Sequence, residues 1–572
     1  MNSAFIDKFD AIAQTRPTQL ALITEKASIT YAQLQQKAKH IAAGIQSEID
    51  DDVEGVVLCL KRDDALIATI LACHYLKIPY VPVDPRTANE KIDHILAQAR
   101  YLYISNAKMN QCQPAVSITQ LLKVDASFEP ESRARASQEA YRIYTSGSTG
   151  DPKAVMVSHD GCANLIEYFG TLLAFQPEHT WLSSTSIAFD IFFLEYAVPL
   201  SCGGTVIVLT DQEIQSAQQV ARQVQRWSPT VYQATPSLFK GLLGYLETGW
   251  RFQKVLVGGE ALSPQLSTSL FERSEWLCNV YGPTETTVWS SAHVIFQAGD
   301  TRIGRPIRRT QIWVLNEERQ ECAPGEPGRI YIAGDGLALG YFNNPALTAS
   351  KFTEVCVGGH TQRMYDTNDI GYLDHEGIVN FLYREGGFIK VNGHRVEPTE
   401  ITDALETIEG VSGSAVTPLY DARSDSTKLI GWVECSGLTE ATIRAHLEAK
   451  LSYYLIPHHI YTIPALPYTL SGKIDGNQLE AMSRQRMNEI PIPSASPSKE
   501  EAIASHPVGQ ILGQYVDITR MSKDDNFFER GLTSMQAISF HLDMLDLYPN
   551  LELHEIFERP SFDKLISELK CI

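Results

Sequence analysis

The sequence predicts an α/β protein with mixed and parallel sheets, followed by a small α+β unit and an all-α tail. Three observations carry this. Short apolar runs alternate with helical patterns through the first two-thirds of the 572 residues, the order that builds parallel sheets covered by helices. A stretch rich in proline and serine then breaks the pattern, and the segment beyond it has helical periodicity only. The composition, 44% hydrophobic and 20% charged, is globular rather than disordered, collagen-like or coiled-coil.

The strand candidates in order are VEGVVLCL (Val53–Leu60), YVPVDP (Tyr80–Pro85), GTVIVL (Gly204–Leu209) and KVLVGG (Lys254–Gly259). Helical stretches such as YAQLQQKAKHIAAGI (Tyr31–Ile45) lie between them. Residues 1–385 are assigned to the large unit and 386–484 to the small one. The small unit's apolar runs include GSAVTPL (Gly413–Leu419) and KLIGWVEC (Lys428–Cys435). Residues 485–500 read as a linker, because EIPIPSASPSKEE (Glu489–Glu501) holds three prolines and three serines without an apolar period. Residues 501–572 make the last unit. Within it Met535, Ile538, Leu542 and Leu545 recur at helical spacing and predict one buried helix face.

The net charge of −20 argues against non-specific coating of nucleic acid or anionic lipid. The final unit is acidic in its own right, with twelve acidic against six basic residues. Ten cysteines are scattered without CxxC spacing, which reads as reduced thiols in a cytoplasmic protein. MNSAFIDKFDAIAQTRP lacks the apolar core of a signal peptide. No stretch approaches about 18 uncharged apolar residues, so no membrane span is expected.

Tyr144–Lys153 reads YTSGSTGDPK, between the apolar segments AYRIY and AVMVSH. Gly147 and Gly150 can turn backbone N–H groups toward an anion. Thr145, Ser146, Ser148 and Thr149 add hydroxyl donors, and Lys153 adds a mobile positive charge. The loop does not fit the Walker pattern.

Six further segments follow in order: FDIFFLEYAVPLSCGG (Phe189–Gly204), YGPTETT (Tyr281–Thr287), GEPGRIYIAGDGLALGY (Gly325–Tyr341), YDTNDIGYLDHEG (Tyr365–Gly377), REGGFIKVNGHRVEPTEI (Arg384–Ile401) and LPYTLSGKID (Leu466–Asp475). With the phosphate loop they resemble the adenylate-forming superfamily over residues 1–484. That superfamily includes acyl- and aryl-CoA ligases, luciferase-type enzymes and the adenylation domains of nonribosomal peptide synthetases. The resemblance implies ATP-dependent activation of a carboxylate with loss of pyrophosphate, a reaction that needs cations, phosphate donors and tight orientation.

The resemblance assigns roles residue by residue. Thr145–Gly150 would hold the departing phosphates. Thr284 and Glu285 would contact phosphate and Mg²⁺, a hard cation suited to a carboxylate. Tyr281 would face the adenine and Gly259 would line the nucleotide site. Asp369 would accept the ribose hydroxyls, with Arg384 a ribose or phosphate partner. Lys473 would bridge the carboxylate and the α-phosphate. The small subdomain would be mobile, pivoting in REGGFIK, with Lys390 facing the site in the second, thioester-forming orientation. Gly386 stands where Asp or Lys is common at the pivot, and Gly387 follows it; two glycines still permit rotation. Asn368 replaces the usual glycine before Asp369, and Asn tolerates a left-handed turn.

Asp190 in AFDIFF resembles the aspartate that meets a substrate ammonium in members activating α-amino acids. A carboxylate in an apolar pocket needs such a partner. DDNFFERGLTSMQAISF (Asp524–Phe540) resembles the attachment motif of a four-helix peptidyl carrier domain, with Ser534 as the 4'-phosphopantetheine site and Thr533 where Asp or His is common. The implied protein is an adenylation–carrier didomain loading an amino acid onto its own thiol, for nonribosomal peptide or antibiotic biosynthesis. No HHxxxDG or GxSxG motif is present, so condensation or tailoring partners would act downstream. A phosphopantetheinyl transferase and a small MbtH-like protein are further expected partners. The alternatives are a free-standing amino-acid or acyl-CoA ligase and a catalytically dead scaffold.

Matching motif to motif gives a candidate pocket of Asp190, Ile191, Leu194, Gln233, Leu256, Gly258, Val280, Val288 and Trp289, closed by Lys473. The set resembles the family pattern for glycine, with alanine or another small amino acid the runner-up. Trp289 and the aliphatic residues would fill the space of a side chain.

Overall fold

The computed structural model describes residues 4–87, 89–106, 115–124, 137–145, 153–384, 389–391, 394–396, 398–421, 426–435, 437–467, 476–489 and most positions from 503 to 567. Each predicted strand forms; the first three are slightly shorter than predicted, and the fourth starts two residues earlier, at Phe252. Gly55–Cys59 and Tyr80–Pro82 pair in parallel in a six-stranded sheet. Thr205–Val208 and Phe252–Gly258 lie in a nine-stranded sheet, which is parallel at its centre and antiparallel at both ends. The predicted helix runs over Tyr31–Glu48. Thr30 and Gln33 cap it reciprocally, each side chain accepting from the other's backbone N–H.

One core packs side chains from both sheets against the helices Ala4–Thr15, Tyr31–Glu48, Asp64–Leu76, His159–Leu172 and Ile191–Cys202. The far face of the nine-stranded sheet carries Ala217–Trp227, Pro236–Leu243 and Pro264–Glu272, and the far face of the six-stranded sheet carries Asn89–Ala97. The layers are therefore helix, sheet, helix, sheet, helix. A third, five-stranded antiparallel sheet holds Thr310–Leu315, Gly328–Gly334, Phe352–Val357, His360–Leu373 and Val379–Arg384.

The small unit is α+β, as expected. Val411–Asp421, Ser426–Cys435 and His459–Ile463 form its sheet, and Pro398–Glu406, Glu440–Lys450 and Gly476–Glu489 are helices. The last helix covers the first five residues of the 485–500 stretch that reads as linker. Nothing breaks a helix there before Pro491, and a residue ahead of proline is disfavoured in helix. Residues 490–500 lie outside the described residues.

Toward the C-terminus, Pro507–Leu512, Ser534–Leu545, Leu553–Glu558 and Phe562–Ile566 are helical and share one core. The buried stripe of Ser534–Leu545 corrects the sequence expectation. Ala537, Phe540 and Met544 are buried, whereas Ile538, Leu542 and Leu545 are half-buried; the side chain of Met535 lies outside the description. Spacings of three and four fit both sets, and the aromatic partners Tyr515 and Phe527 select the Phe540 face. Among the described residues no helix is long and apolar enough to cross a membrane. The eight described cysteines are free thiols.

Candidate active site

Parallel strands of the nine-stranded sheet end together, the edge where α/β proteins place ligands. Register sets Gln233 beside Leu256 and Gly258 beside Val280. A Cβ at Gly258 would lie 2.3 Å from the Val280 carbonyl oxygen and 3.0 Å from the Trp289 ring, so only glycine allows this approach. The Trp289 indole N–H donates to Gln233 Oε1 at 3.0 Å. The same amide donates through Nε2 to the Ile191 carbonyl at 3.2 Å. Both side chains are buried, so the indole is fixed in a dry wall.

Trp289 leaves a turn in which Thr287 and Val288 have φ of +61° and +62°. Such backbone costs a β-branched residue about 1–3 kcal/mol. The surroundings hold it: Thr287 Oγ1 donates to the Gly336 carbonyl at 2.7 Å, and Ser290 N–H donates to the Tyr281 carbonyl at 2.8 Å.

Asp190 immediately precedes the helix Ile191–Cys202, is buried, and makes no capping bond to that helix. Tyr141 is near enough for its hydroxyl pKa to be raised by burial first, then by Cys162 and Asp190. Leu194 is buried on the same helix, and Ile191 Cδ1 would stand 3.3 Å from a Cβ at Gly259. Sequence-distant candidates thus converge from one helix, three strands and one turn.

On the other side of that turn, Thr284–Thr286 forms a 3₁₀ turn with Glu285 wholly buried. Tyr341 donates to Glu285 Oε1 at 2.8 Å. Tyr341 was not singled out from the sequence; it closes the quoted segment Gly325–Tyr341, and only the tertiary fold brings it to Glu285. The Tyr281 hydroxyl donates to Asp369 Oδ2, and Arg384 donates to Asp369 Oδ1 at 2.9 Å. Tyr281, Asp369 and Arg384 therefore form one cluster. Asn368 has φ of +58°, the left-handed turn expected of it, and its side-chain oxygen accepts from Arg329 and Lys351. Gly259, with φ of +89°, turns the chain out of its strand toward this edge.

Thr145 ends its strand opposite Lys153. Ser146, Gly147, Ser148, Thr149 and Gly150 lie outside the described residues, as do Gly386, Gly387 and Lys473. Lys390 stands mid-strand in Ile389–Val391 and Ser534 opens its helix; the side chains of both lie outside the description. Among the described residues no group of three or more His, Cys, Asp or Glu could hold a metal. The phenol-anchored Glu285 carboxylate has the hard oxygen chemistry that suits an Mg²⁺ arriving with ATP.

The family model for AMP-binding enzyme matches residues 9–342. The dimodular nonribosomal peptide synthase of Bacillus subtilis (strain 168) is 30% identical over 582 residues, covering 98% of this chain and 24% of that protein. The chain thus spans about a quarter of that relative's length. A solved nonribosomal peptide synthetase protein with adenylation and PCP domains, bound to a vinylsulfonamide inhibitor, superposes at a TM-score of 0.78. It is 24% identical and covers 98% of this chain and 95% of its own. A four-domain nonribosomal peptide synthetase bound to AMP and glycine superposes at 0.62, with 27% identity, 100% of this chain covered and 44% of its own.

Proposed function

Because the chain belongs to the AMP-binding enzyme family and is an AMP-forming ligase, we propose that it activates a small amino acid, glycine before any other, and loads it onto its own C-terminal unit. The amino acid's carboxylate oxygen attacks the α-phosphorus of ATP, and the bond to pyrophosphate breaks. Ser534 would carry the prosthetic thiol that takes the aminoacyl group, with AMP as the leaving group. Asp190 would meet the substrate ammonium, Glu285 would hold the Mg²⁺ that accompanies the phosphates, and Asp369 would take the ribose. Lys473 supplies the charge between carboxylate and α-phosphate, and Lys390 serves the second step. The Ser146–Gly150 loop and Lys153 receive the leaving phosphates. A 4'-phosphopantetheine on Ser534 supplies the thiol.

The observation that carries the choice of glycine is the pinned indole. Trp289 is held by the Gln233 amide, whose other end is tied to the Ile191 carbonyl, and its ring lies over Gly258. A fixed indole of this size would fill the space that a substrate side chain needs. The relative solved with AMP and glycine supports the same reading. A phosphopantetheinyl transferase, downstream condensation or tailoring enzymes and an MbtH-like protein belong to the proposal as partners.

The test is ATP–pyrophosphate exchange across a panel of amino acids. Glycine should exceed alanine by about 10–200-fold, the range for one misfitting methyl, and exceed large side chains by more. A large or aromatic amino acid outrunning glycine would overturn the pocket reading. Exchange with none of them would overturn amino-acid activation.

A further inference from the structure

Two buried charges lie beside the site and take no part in the reaction above: Arg62 and Glu195, at 2% and 0% exposure. Arg62 follows a strand of the six-stranded sheet. Its guanidinium reaches across to the nine-stranded sheet, donating to the carbonyls of Leu209 (2.8 Å), Ser183 (2.8 Å) and Thr185, and to Ser183 Oγ (2.9 Å). Its backbone N–H donates to Asp211 at 3.1 Å, and its guanidinium stacks over Phe192, 5.1 Å from the ring centre.

Glu195 grips the same two residues from the other side. It accepts from Ser183 Oγ at 2.7 Å, from Thr185 Oγ1 at 2.6 Å and from Thr185 N–H at 3.2 Å. Ser183 Oγ therefore stands between the guanidinium and the carboxylate. Ser184 pairs with the Tyr232 hydroxyl at 3.1 Å, and Ser186 donates to Asp84 at 2.6 Å. All four consecutive hydroxyl residues Ser183–Ser186 are thus tied by their side chains, Ser183 and Thr185 to the shared Glu195.

This tied segment leads, four residues later, to Asp190. The helix that begins after Asp190 carries Glu195, so the carboxylate closes a ring back onto the loop that delivers Asp190. A simple structural staple would not need a carboxylate in a helix that is otherwise apolar and buried, nor a buried guanidinium brought to it from the other sheet. Burying them is costly unless every bond is made.

We propose that Arg62 and Glu195 are positioning residues for the substrate ammonium: together they clamp Ser183–Thr185 and so fix the place of Asp190. This rests on the reading that Asp190 meets that ammonium. Neither residue touches substrate. The clamp acts on amino-acid binding and leaves the ATP side, held by Tyr341 and Glu285, alone.

The test uses the full chain, with glycine and ATP varied separately in the exchange assay, on Glu195→Gln and Thr185→Val. Glu195→Gln removes the charge opposite Arg62. Thr185→Val keeps both charges and unties one anchor of the loop, so it remains informative if Glu195→Gln does not fold. In each folded variant the glycine KM should rise by about tenfold or more while the ATP KM stays within about twofold, as expected of a misplaced binding group. An unchanged glycine KM, or a parallel rise in both KM values, would overturn the proposal and leave the pair a stabilising contact. If the wild-type chain gave no exchange with glycine but did with another amino acid, that amino acid would be varied instead. A wild type silent with every amino acid would refute the function itself, a separate outcome.

Discussion

Asp190 is a carboxylate buried ahead of an apolar helix, and such a group is expensive without a positive partner. Asp190→Ala is therefore expected to lose about 2 kcal/mol or more of binding to any α-amino acid, read as kcat/KM in exchange. Tyr341→Phe deletes the phenol that orients Glu285. A hydrogen bond to a charged group is worth about 1.5–3 kcal/mol, so turnover should fall by at least tenfold or so with the fold intact by circular dichroism. His458 accepts the Leu429 N–H at 3.0 Å and is kept neutral, with a pKa of about 4, by burial and then by Lys428, His459 and Arg444. The unfolded chain takes up a proton below about pH 6.5 that the folded chain refuses, so stability falls as pH drops from there toward 4. From pH 7 to 5 the wild type should lose about 2 kcal/mol more than His458→Gln in denaturant titrations. At this scale the sequence was most informative where one charge interrupted an apolar run, as Asp190 does. Tyr341 carried no such mark, because its partner lies 56 positions away.

The elements around the pocket make their selectivity jointly. Gln233 sits on one strand, Trp289 after a strained turn, and Ile191 on a helix, and two hydrogen bonds join all three. Gln233→Leu leaves the indole N–H without its acceptor and frees the ring. The glycine-over-alanine preference should shrink several-fold, measured as the ratio of kcat/KM values. An unchanged ratio would mean that packing alone holds Trp289. Gly258→Ala should abolish activity, because the new methyl meets the Val280 backbone oxygen, which cannot give without parting the strands. Strands of β-branched and aliphatic residues were legible in the sequence, and so was the capped helix Tyr31–Glu48. The buried face of Ser534–Leu545 was not, since its apolar residues circle the helix and tertiary aromatic neighbours decide which of them is covered.

At the scale of the whole molecule, two sheets share one core, and Arg62 bridges their edges beside the site. Alternating apolar and helical patterns foretold the layers. The antiparallel sheet of Thr310–Arg384 was less evident: Gly328–Gly334 and His360–Leu373 overlap segments that stand out for their chemistry, and its strands alternate polar and apolar residues instead of forming continuous apolar runs. Activation and loading are proposed for one chain, and intact-mass analysis of that chain tests both steps at once. The protein is treated with a phosphopantetheinyl transferase, then with ATP, Mg²⁺ and glycine. The account expects one phosphopantetheine added to the wild type and none to Ser534→Ala, followed by one glycyl group that appears only with ATP and is lost to hydroxylamine. A wild-type mass unchanged by the transferase, or a phosphopantetheinylated chain that takes no glycyl group while it exchanges pyrophosphate with glycine, would contradict it.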